Sequence, residues 1–415
     1  MLAEILATGD EIRSGALIDS NSAYIAVKLE EIGIPVTRHS CVGDDFEALV
    51  SILKEISTRV DICVVTGGLG PTADDLSSEA AASAAGEALV MDSKALSDIE
   101  TFFRERNREM TDSNRKQAML PRNAEAMYNP VGTAPGFSQK IGTCLFFFLP
   151  GVPYEMKHML SHVVFPRIKK MPGALKEHCL VRIITTFGLT ESAAGEKVAD
   201  LVNDFPGVKL GLRAKFPEIH VKLYLNGQDL LSMEKKLASA TEWILNRLGR
   251  HVLSLEGASM PAVVGDLLRK KAATVAVAES CTGGRIANWL TDVSGSSDYF
   301  LFSGVTYSNH AKANVLGVSS DILKKYGAVH EETARAMAHG ARLVSGATYA
   351  ISTTGIAGPT GGSDDKPVGT VCIGLATPDK TEGKRFYFPF GQRSMNKSIF
   401  GMAALNILRK ELLNQ

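Results

Sequence analysis

A serine follows a short apolar run in the last third of the chain, within Val277-Ala-Glu-Ser-Cys-Thr-Gly-Gly284. The apolar run predicts a strand and the residues after it a helix, so Ser280 is expected on the turn between them. The backbone N–H groups after such a serine can bind an oxyanion, and glycines allow a ligand to come close. This pattern fits a nucleophile with a ligand site at Cys281, Thr282, Gly283 and Gly284. A serine here is also commonly the N-cap of the helix, and both interpretations stay open.

A serine nucleophile needs a base, and the following segment offers a lysine. Three histidines of this region lie in polar helical or loop contexts that do not favour the role: His310, His330 and His339. Lysine serves as a base when its pKa is lowered. Ser308 or Asn309 is expected to cap a helix, which places Lys312 in a first turn, where the helix dipole disfavours the ammonium. Tyr307 can then relay a proton or orient Lys312, although a lysine in a first turn is more often a solvated surface residue.

A glycine-rich loop follows a third apolar run, in Thr353-Thr-Gly-Ile-Ala-Gly-Pro-Thr-Gly-Gly362. Glycine and proline at this density indicate a structured loop whose amides can line a ligand pocket. The pocket candidates are Thr353, Gly355, Ala357 and Gly358. Arg393 is a candidate for binding a phosphate or carboxylate, although an isolated arginine is usually a surface residue.

Acidic residues stand beside glycines in three loops of the first third of the chain. Since loops after the strands of one sheet meet at one edge, we expect Asp10, Asp44, Asp74 and Asp75 to surround a divalent cation such as magnesium, manganese or cobalt. The amides of the loop Thr66–Asp75 would hold a phosphate. A metal beside a phosphate fits pyrophosphate cleavage. The alternative for each single aspartate is that it caps a helix or a turn.

Composition limits the class of protein. Lys plus Arg and Asp plus Glu both total 45 in 415 residues, so the formal net charge is zero, which argues against a nucleic-acid or membrane-surface binder. The six cysteines form no C-x-x-C pair, so neither a zinc site nor a disulfide framework is expected. The N-terminus has no basic segment typical of a signal peptide, and the longest apolar run, Cys144–Leu149, is too short to span a bilayer. A cytoplasmic protein is expected.

The chain must position these residues with two α/β regions. Strand-like and helical runs alternate over 1–170 and again over 258–415, which predicts three-layer α/β domains with mainly parallel sheets. Between them, 171–253 shows a β-α-β-β-α order, typical of a small α+β module that resembles a KH module. It has no G-x-x-G, so we expect no RNA binding by that device.

The motifs of 258–415, taken in order, resemble the C-terminal domain of the CinA family. They are AESCTGG, Y-S-N-x-A-K, TGIAGPTGG and KPVGTV. The resemblance implies that nicotinamide mononucleotide is hydrolysed to nicotinate mononucleotide and ammonia without a metal or other cofactor. It assigns Ser280 as nucleophile, Lys312 and Tyr307 as its activating pair, and Arg393 to the substrate. It also implies a homodimer.

The motifs of the first third resemble the N-terminal domain of the same family, which is similar to molybdopterin-binding domains. They include GDE-x-x-x-G, GGLGPT-x-DD and Leu149-Pro-Gly-Val-Pro153. The resemblance implies metal-dependent hydrolysis of ADP-ribose, with Gly67, Gly68, Thr72 and Asn21 on the substrate and the aspartates on the metal. Two alternatives stay open. In the first, only one half is active and the N-terminal half is a regulatory nucleotide- or molybdopterin-binding module. In the second, the protein is a non-enzymatic binder.

Overall fold

The computed structural model describes residues 1–171 and 178–414. The predicted start of the middle module at 171 adjoins residues 172–177, which, like the predicted last residue Gln415, lie outside the described residues. Two compact units make up the chain: Met1–Leu180 with Leu225–Met233, and Val181–Tyr224 with Glu234–Gln415. No described helix combines the length and apolar character needed to cross a membrane.

The first unit contains a sheet with a parallel and an antiparallel part. Its strands are β1 (Ala3–Thr8), β2 (Val36–Val42), β3 (Ile62–Thr66), β4 (Leu89–Met91), β5 (Met119–Pro121), β6 (Glu125–Met127), β7 (Gly136–Ile141) and β8 (Cys144–Leu149). Among the described residues, six strands pair in the order β2-β1-β3-β8-β7-β6, and β4 pairs with β5. The neighbours from β2 to β8 are parallel, whereas β8, β7 and β6 pair antiparallel. The sheet is therefore mixed, because β7 and β8 form a hairpin rather than a crossover.

Helices cover both faces of this sheet. They are α1 (Asp10–Arg13), α2 (Ser20–Glu31), α3 (Phe46–Ile56), α4 (Ser77–Ala85), α5 (Ser93–Glu105), α6 (Asp112–Lys116), α7 (Pro153–Met159) and α8 (Phe165–Ile168), with a π-helical turn at Leu160–Val164. Asp19 and Asp45 begin α2 and α3, because their carboxylates accept the N–H groups of Ser22 and Ala48 at 2.8 Å each. The apolar side chains pack into two clusters, one on each face.

The middle of the chain forms a second, smaller sheet. Its strands are β9 (His178–Phe187), β10 (Val208–Lys215), β11 (Glu218–Gly227) and β12 (Val252–Ser254), and its helices are α9 (Glu191–Val198), α10 (Leu201–Asp204) and α11 (Leu230–Leu248). In the described part of the chain the strand order is β10-β11-β9-β12. The predicted KH-like module is confirmed. The first helix of the predicted β-α-β-β-α order is divided into the pair α9 and α10.

The last region is an α/β domain whose sheet is again mixed. Its strands are β13 (Val275–Glu279), β14 (Phe300–Val305), β15 (Tyr349–Gly355), β16 (Thr370–Ala376) and β17 (Thr381–Tyr387). Its helices are α12 (Met260–Lys270), α13 (Arg285–Thr291), α14 (Asn309–Leu316), α15 (Ser320–Tyr326), α16 (Glu331–Ser345) and α17 (Arg393–Leu413). The described strands are ordered β14-β13-β15-β16-β17, with parallel pairs only around β13. The α/β class is confirmed, and both large sheets carry their parallel strands beside the candidate sites.

Candidate functional site

Ser280 stands directly after the central strand β13. Its N–H donates to the carbonyl of Thr353 on the neighbouring strand at 2.9 Å, and its side chain is nearly buried. The helix α13 begins only at Arg285, and Gly284 occupies its cap position. The alternative that Ser280 caps the helix is therefore wrong, and its hydroxyl is free for another partner.

The carboxylate of Glu279, rather than the hydroxyl of Ser280, accepts N–H groups at the start of α13. It is fully buried and accepts the N–H groups of Ile286 and Ala287 at 3.2 and 2.9 Å, in the first turn of α13. These bonds satisfy amides that a helix start leaves unpaired. Sequence reasoning missed Glu279, although an acidic residue at the end of an apolar run is a signal of a specific buried partner.

Lys312 reaches Ser280 from the helix α14. The side chain of Ser308 begins this helix by accepting the N–H of Ala311 at 3.1 Å. Lys312 is completely buried, and its Nζ lies 3.1 Å from Ser280 Oγ. Burial lowers the pKa of Lys312, because the interior solvates the ammonium poorly. The alternative of a solvated surface lysine is wrong.

The other contacts of the amine fix where its lone pair points. Lys312 Nζ donates to the carbonyl oxygens of Thr306 and Tyr307 at 2.9 and 3.1 Å. A carbonyl oxygen can only accept, so a neutral amine must spend both of its N–H groups on these two partners. The lone pair then faces Ser280 Oγ, which is the arrangement a general base needs.

Tyr307 and Arg393 form a pair at the surface. Tyr307 is 61% exposed and touches Lys312 only through its carbonyl, while its hydroxyl accepts Arg393 Nη2 at 3.1 Å. Arg393 Nη1 donates to the carbonyl of Gly358 at 2.7 Å. The structure thus brings Arg393 to the predicted glycine loop, and the hydrogen bond described for the Tyr307 hydroxyl goes to Arg393.

The remaining predicted pocket residues support the site mainly through the main chain. Thr282 and Thr353 are buried and joined by a 2.7 Å hydrogen bond between their hydroxyls. A side chain at Gly355 would meet the carbonyl of Thr370 at 2.5 Å, so only glycine fits. The carbonyl of Ala357 accepts the buried amide of Asn396, a residue that sequence reasoning missed, at 3.0 Å.

Cys281 is a second potential nucleophile next to Ser280. Its side chain is buried, and burial raises the pKa of the thiol to about 12. Because the thiolate is the reactive form, this cysteine is inert at neutral pH.

The first unit has its own cavity of about 430 Å³ at the carboxyl ends of β1, β3 and β8. The predicted residues that line it are Asn21, Asp44, Gly67, Gly68, Asp74 and Asp75. Asn21 donates to Thr66 Oγ1 at 3.0 Å and to the carbonyl of Gly151 at 2.7 Å. Its buried Oδ1 and the hydroxyl of Thr8 have no partner within the described part of the chain. Both atoms belong to residues that line the cavity, and a buried polar atom without a partner is uncommon.

The predicted cluster of four aspartates is not assembled here. The Asp10 carboxylate pairs with Arg13 at 3.0 Å outside the cavity, and Asp75 Oδ2 accepts the N–H and hydroxyl of Thr72 at 2.9 and 2.5 Å. Burial, together with nearby acidic groups, raises the pKa of Asp44. Across the described residues no three His, Cys, Asp or Glu side chains come together as metal ligands. Local bonds instead hold the Asp10 and Asp75 carboxylates, while Asp44 Oδ2 accepts the N–H of Asp10 at 3.0 Å.

Three family profiles match successive parts of the chain. A probable molybdopterin binding domain matches residues 4–170, the damage-inducible protein CinA KH domain matches 181–253, and the CinA C-terminal domain matches 257–412.

Full-length relatives are similar to the whole chain. A CinA-like protein of Desulfosudis oleivorans is 50% identical over 413 residues and covers 100% of both chains. A protein of Shewanella oneidensis named nicotinamide-nucleotide amidohydrolase PncC is 39% identical, covering 100% of this chain and 97% of its own. A crystal structure of CinA from Thermoplasma acidophilum, described as of unknown function, is 32% identical and covers 40% of this chain and 98% of its own, with a TM-score of 0.38.

Proposed function

Because the chain belongs to the CinA family, we propose that its C-terminal domain hydrolyses the amide of nicotinamide mononucleotide, with Ser280 as nucleophile and Lys312 as base. The observation that carries the proposal is the 3.1 Å contact between Ser280 Oγ and a buried amine whose two other bonds go to carbonyl groups. The name of the Shewanella oneidensis relative supports the substrate.

Acylation follows from this geometry. Ser280 Oγ forms a bond to the carboxamide carbon while its proton passes to Lys312 Nζ. The oxyanion is stabilised by N–H groups of the turn that follows Ser280. When the intermediate collapses, the C–N bond breaks, and the Lys312 ammonium returns the proton to the departing nitrogen. Ammonia leaves, and an ester joins Ser280 to the nicotinoyl group.

Deacylation repeats the same steps with water as the nucleophile. Lys312 takes a proton from water, the hydroxide bonds to the ester carbon, and the Ser280–carbonyl bond breaks with the proton returned to Ser280 Oγ. The product is nicotinate mononucleotide. Tyr307 and Arg393 are assigned to substrate binding, since the hydrogen bonds of their side chains join them to each other and to the glycine loop at Gly358.

The proposal is tested by measuring ammonia released from nicotinamide mononucleotide. The native chain should release it, and Lys312→Met should release it about 10²–10⁴-fold more slowly. Lys324→Met, which changes an exposed lysine of α15, serves as the matched control and should retain full activity. Absence of release by the folded native chain would refute the proposal.

A second activity, hydrolysis of ADP-ribose to AMP and ribose 5-phosphate, is proposed for the N-terminal domain. The favouring observation is the cavity at the ends of β1, β3 and β8, because both the glycine loop and Asn21 line it. A divalent cation remains a proposal, because the carboxylates do not form a complete ligand set. Magnesium is often held by one or two carboxylates together with substrate phosphates. Hydrolysis that survives both EDTA and Asp74→Ala would reject the metal.

The predicted cytoplasmic homodimer is kept as part of the proposal. Two-fold dimers are the commonest assemblies of soluble enzymes. Light scattering of the purified chain measures the mass directly, and a monomer at all concentrations would reject the dimer.

A further inference from the structure

An exposed phenylalanine forms the tip of the hairpin between β10 and β11. Lys215 ends one strand and Glu218 begins the next, so Phe216 and Pro217 make the turn. The Phe216 side chain is 42% exposed, and its ring meets the ring of Phe390, just before α17, edge-on at 5.0 Å. An aromatic tip of the KH-like module therefore lies against the amidohydrolase domain within one compact unit.

Buried contacts fix the position of this tip. Glu218, next to the turn, is almost fully buried, and its carboxylate accepts the N–H of Met260 at the start of α12 at 2.8 Å. Phe187 and Leu253 of the module belong to the same hydrophobic core as α12. The buried carboxylate and the shared core therefore hold the hairpin in a fixed position against the C-terminal domain.

Phe216 forms one wall of a cleft of about 610 Å³. The other lining residues come from α17 and from the turn and helix that follow Ser280: Thr282, Gly283, Gly284, Arg285, Asn288, Trp289, Lys397 and Ser398. Two of these residues are cationic, and none is acidic. Arg285 is braced by the carbonyl of Ser394 at 2.9 Å and by the hydroxyl of Ser398. Lys397 Nζ lies only 3.1 Å from where a Cβ on Gly283 would stand.

The cleft begins on the same turn as the nucleophile. The N–H of Gly283 donates to the carbonyl of Ser280 at 3.1 Å, so the two ends of the turn are tied together. Two amides in the first turn of α13, those of Ile286 and Ala287, are already bonded to Glu279. The side chains of Arg285 and Lys397 are the cationic groups that line the cleft, and both types of side chain are suited to binding phosphate.

We propose that this cleft binds the phosphomonoester end of a mononucleotide substrate. Lys397 and Arg285 contact the phosphate, and Phe216 closes the side of the cleft next to the sugar. The KH-like module thereby completes the amidohydrolase site. The proposal rests on the proposed function of Ser280 and adds to it the place where the phosphate lies.

The test compares nicotinamide mononucleotide with nicotinamide riboside, which lacks the phosphate. Dissociation constants are measured by calorimetry in a Ser280→Ala chain, so that turnover does not interfere. Adding Lys397→Ala should weaken binding of the mononucleotide about tenfold to a hundredfold, as expected for a charge-assisted contact, and should leave riboside binding unchanged. Lys410→Ala, at an exposed lysine of the same helix, should change neither.

Equal weakening for both ligands, or for neither, would overturn the phosphate assignment. Ammonia release by the native chain reports the proposed function separately. If release is absent while phosphate-dependent binding persists, the amidohydrolase proposal fails and the phosphate site stands.

Phe216→Ala should raise the KM for the mononucleotide with little change in kcat, and Phe216→Tyr should restore the native KM. An unchanged KM in a folded Phe216→Ala chain would remove the module from the site.

Discussion

Replacing Lys312 by methionine removes the amine and keeps an apolar chain of similar length in its buried position. A positioned general base contributes about 10²–10⁴ in rate, or about 3–5 kcal/mol of transition-state free energy. We expect kcat for ammonia release to fall by this factor.

The Lys312→Met chain should remain folded, because two opposing effects act on its stability. The carbonyls of Thr306 and Tyr307 lose their donor at a cost of about 1–3 kcal/mol each. The desolvation penalty of a buried amine also disappears.

The role of Lys312 as a base also predicts how kcat/KM changes with pH. Burial lowers the pKa of Lys312 from its usual 10.5, and only the neutral amine can act as a base. In the native chain kcat/KM should therefore rise with pH through the lowered pKa and then level off. In the Lys312→Met chain this rise should be absent from the residual activity.

The same shift makes the stability of the native chain depend on pH. Between the lowered pKa and 10.5, the unfolded chain binds a proton at Lys312 that the folded chain does not, so the free energy of unfolding rises with pH. The stability of Lys312→Met relative to the native chain should therefore fall from neutral to alkaline pH in urea titrations. A Lys312→Met enzyme with native kcat, or with the native pH–rate profile, would refute the role of this lysine as the base.

Three further substitutions distinguish the roles of the residues around Ser280 and Lys312. Cys281→Ala should retain ammonia release within a few-fold, because the thiol, with its pKa raised to about 12, is protonated; a large loss would implicate Cys281. Glu279→Gln should lower the free energy of unfolding by about 1–3 kcal/mol in urea, since a buried charged cap of two amides is lost; an unchanged midpoint would contradict the capping bonds. Tyr307→Phe removes the hydroxyl that binds Arg393 and should raise KM several-fold. The rise of kcat/KM with pH at the acidic side of the profile should stay where it is in the native chain. A displaced rise would instead place the tyrosine hydroxyl in proton transfer.

The sequence predicted the elements that carry chemistry because strand and helix periods and capping residues act locally. The β-α-β-β-α order expected of the middle module is present from β9 to α11. The antiparallel part of each sheet was missed, because the direction in which two neighbouring strands pair is not contained in the apolar period of either strand. Helix periodicity also did not reveal the break between α9 and α10.

In the candidate site, too, some features followed from the sequence and others depended on three-dimensional packing. Proximity of Ser280 and Lys312 was anticipated from the order of motifs, but the burial of the lysine depends on three-dimensional packing that spacing does not contain. The side-chain directions of Tyr307 and Arg393 were likewise inaccessible, because both are set by a partner distant in sequence. The four aspartates were expected together because their loops follow strands of one sheet, yet local bonds to Arg13 and Thr72 compete for two of them.

The assignment of Ser280 as nucleophile is tested most directly by locating the acyl group during turnover. The native chain is mixed with nicotinamide mononucleotide, quenched in acid at short times and mapped by peptide mass spectrometry. The geometry predicts a mass increase equal to the substrate minus ammonia on Ser280, and loss of both the adduct and ammonia release in Ser280→Ala. An adduct on the neighbouring Cys281, or ammonia release that persists in Ser280→Ala, would contradict it.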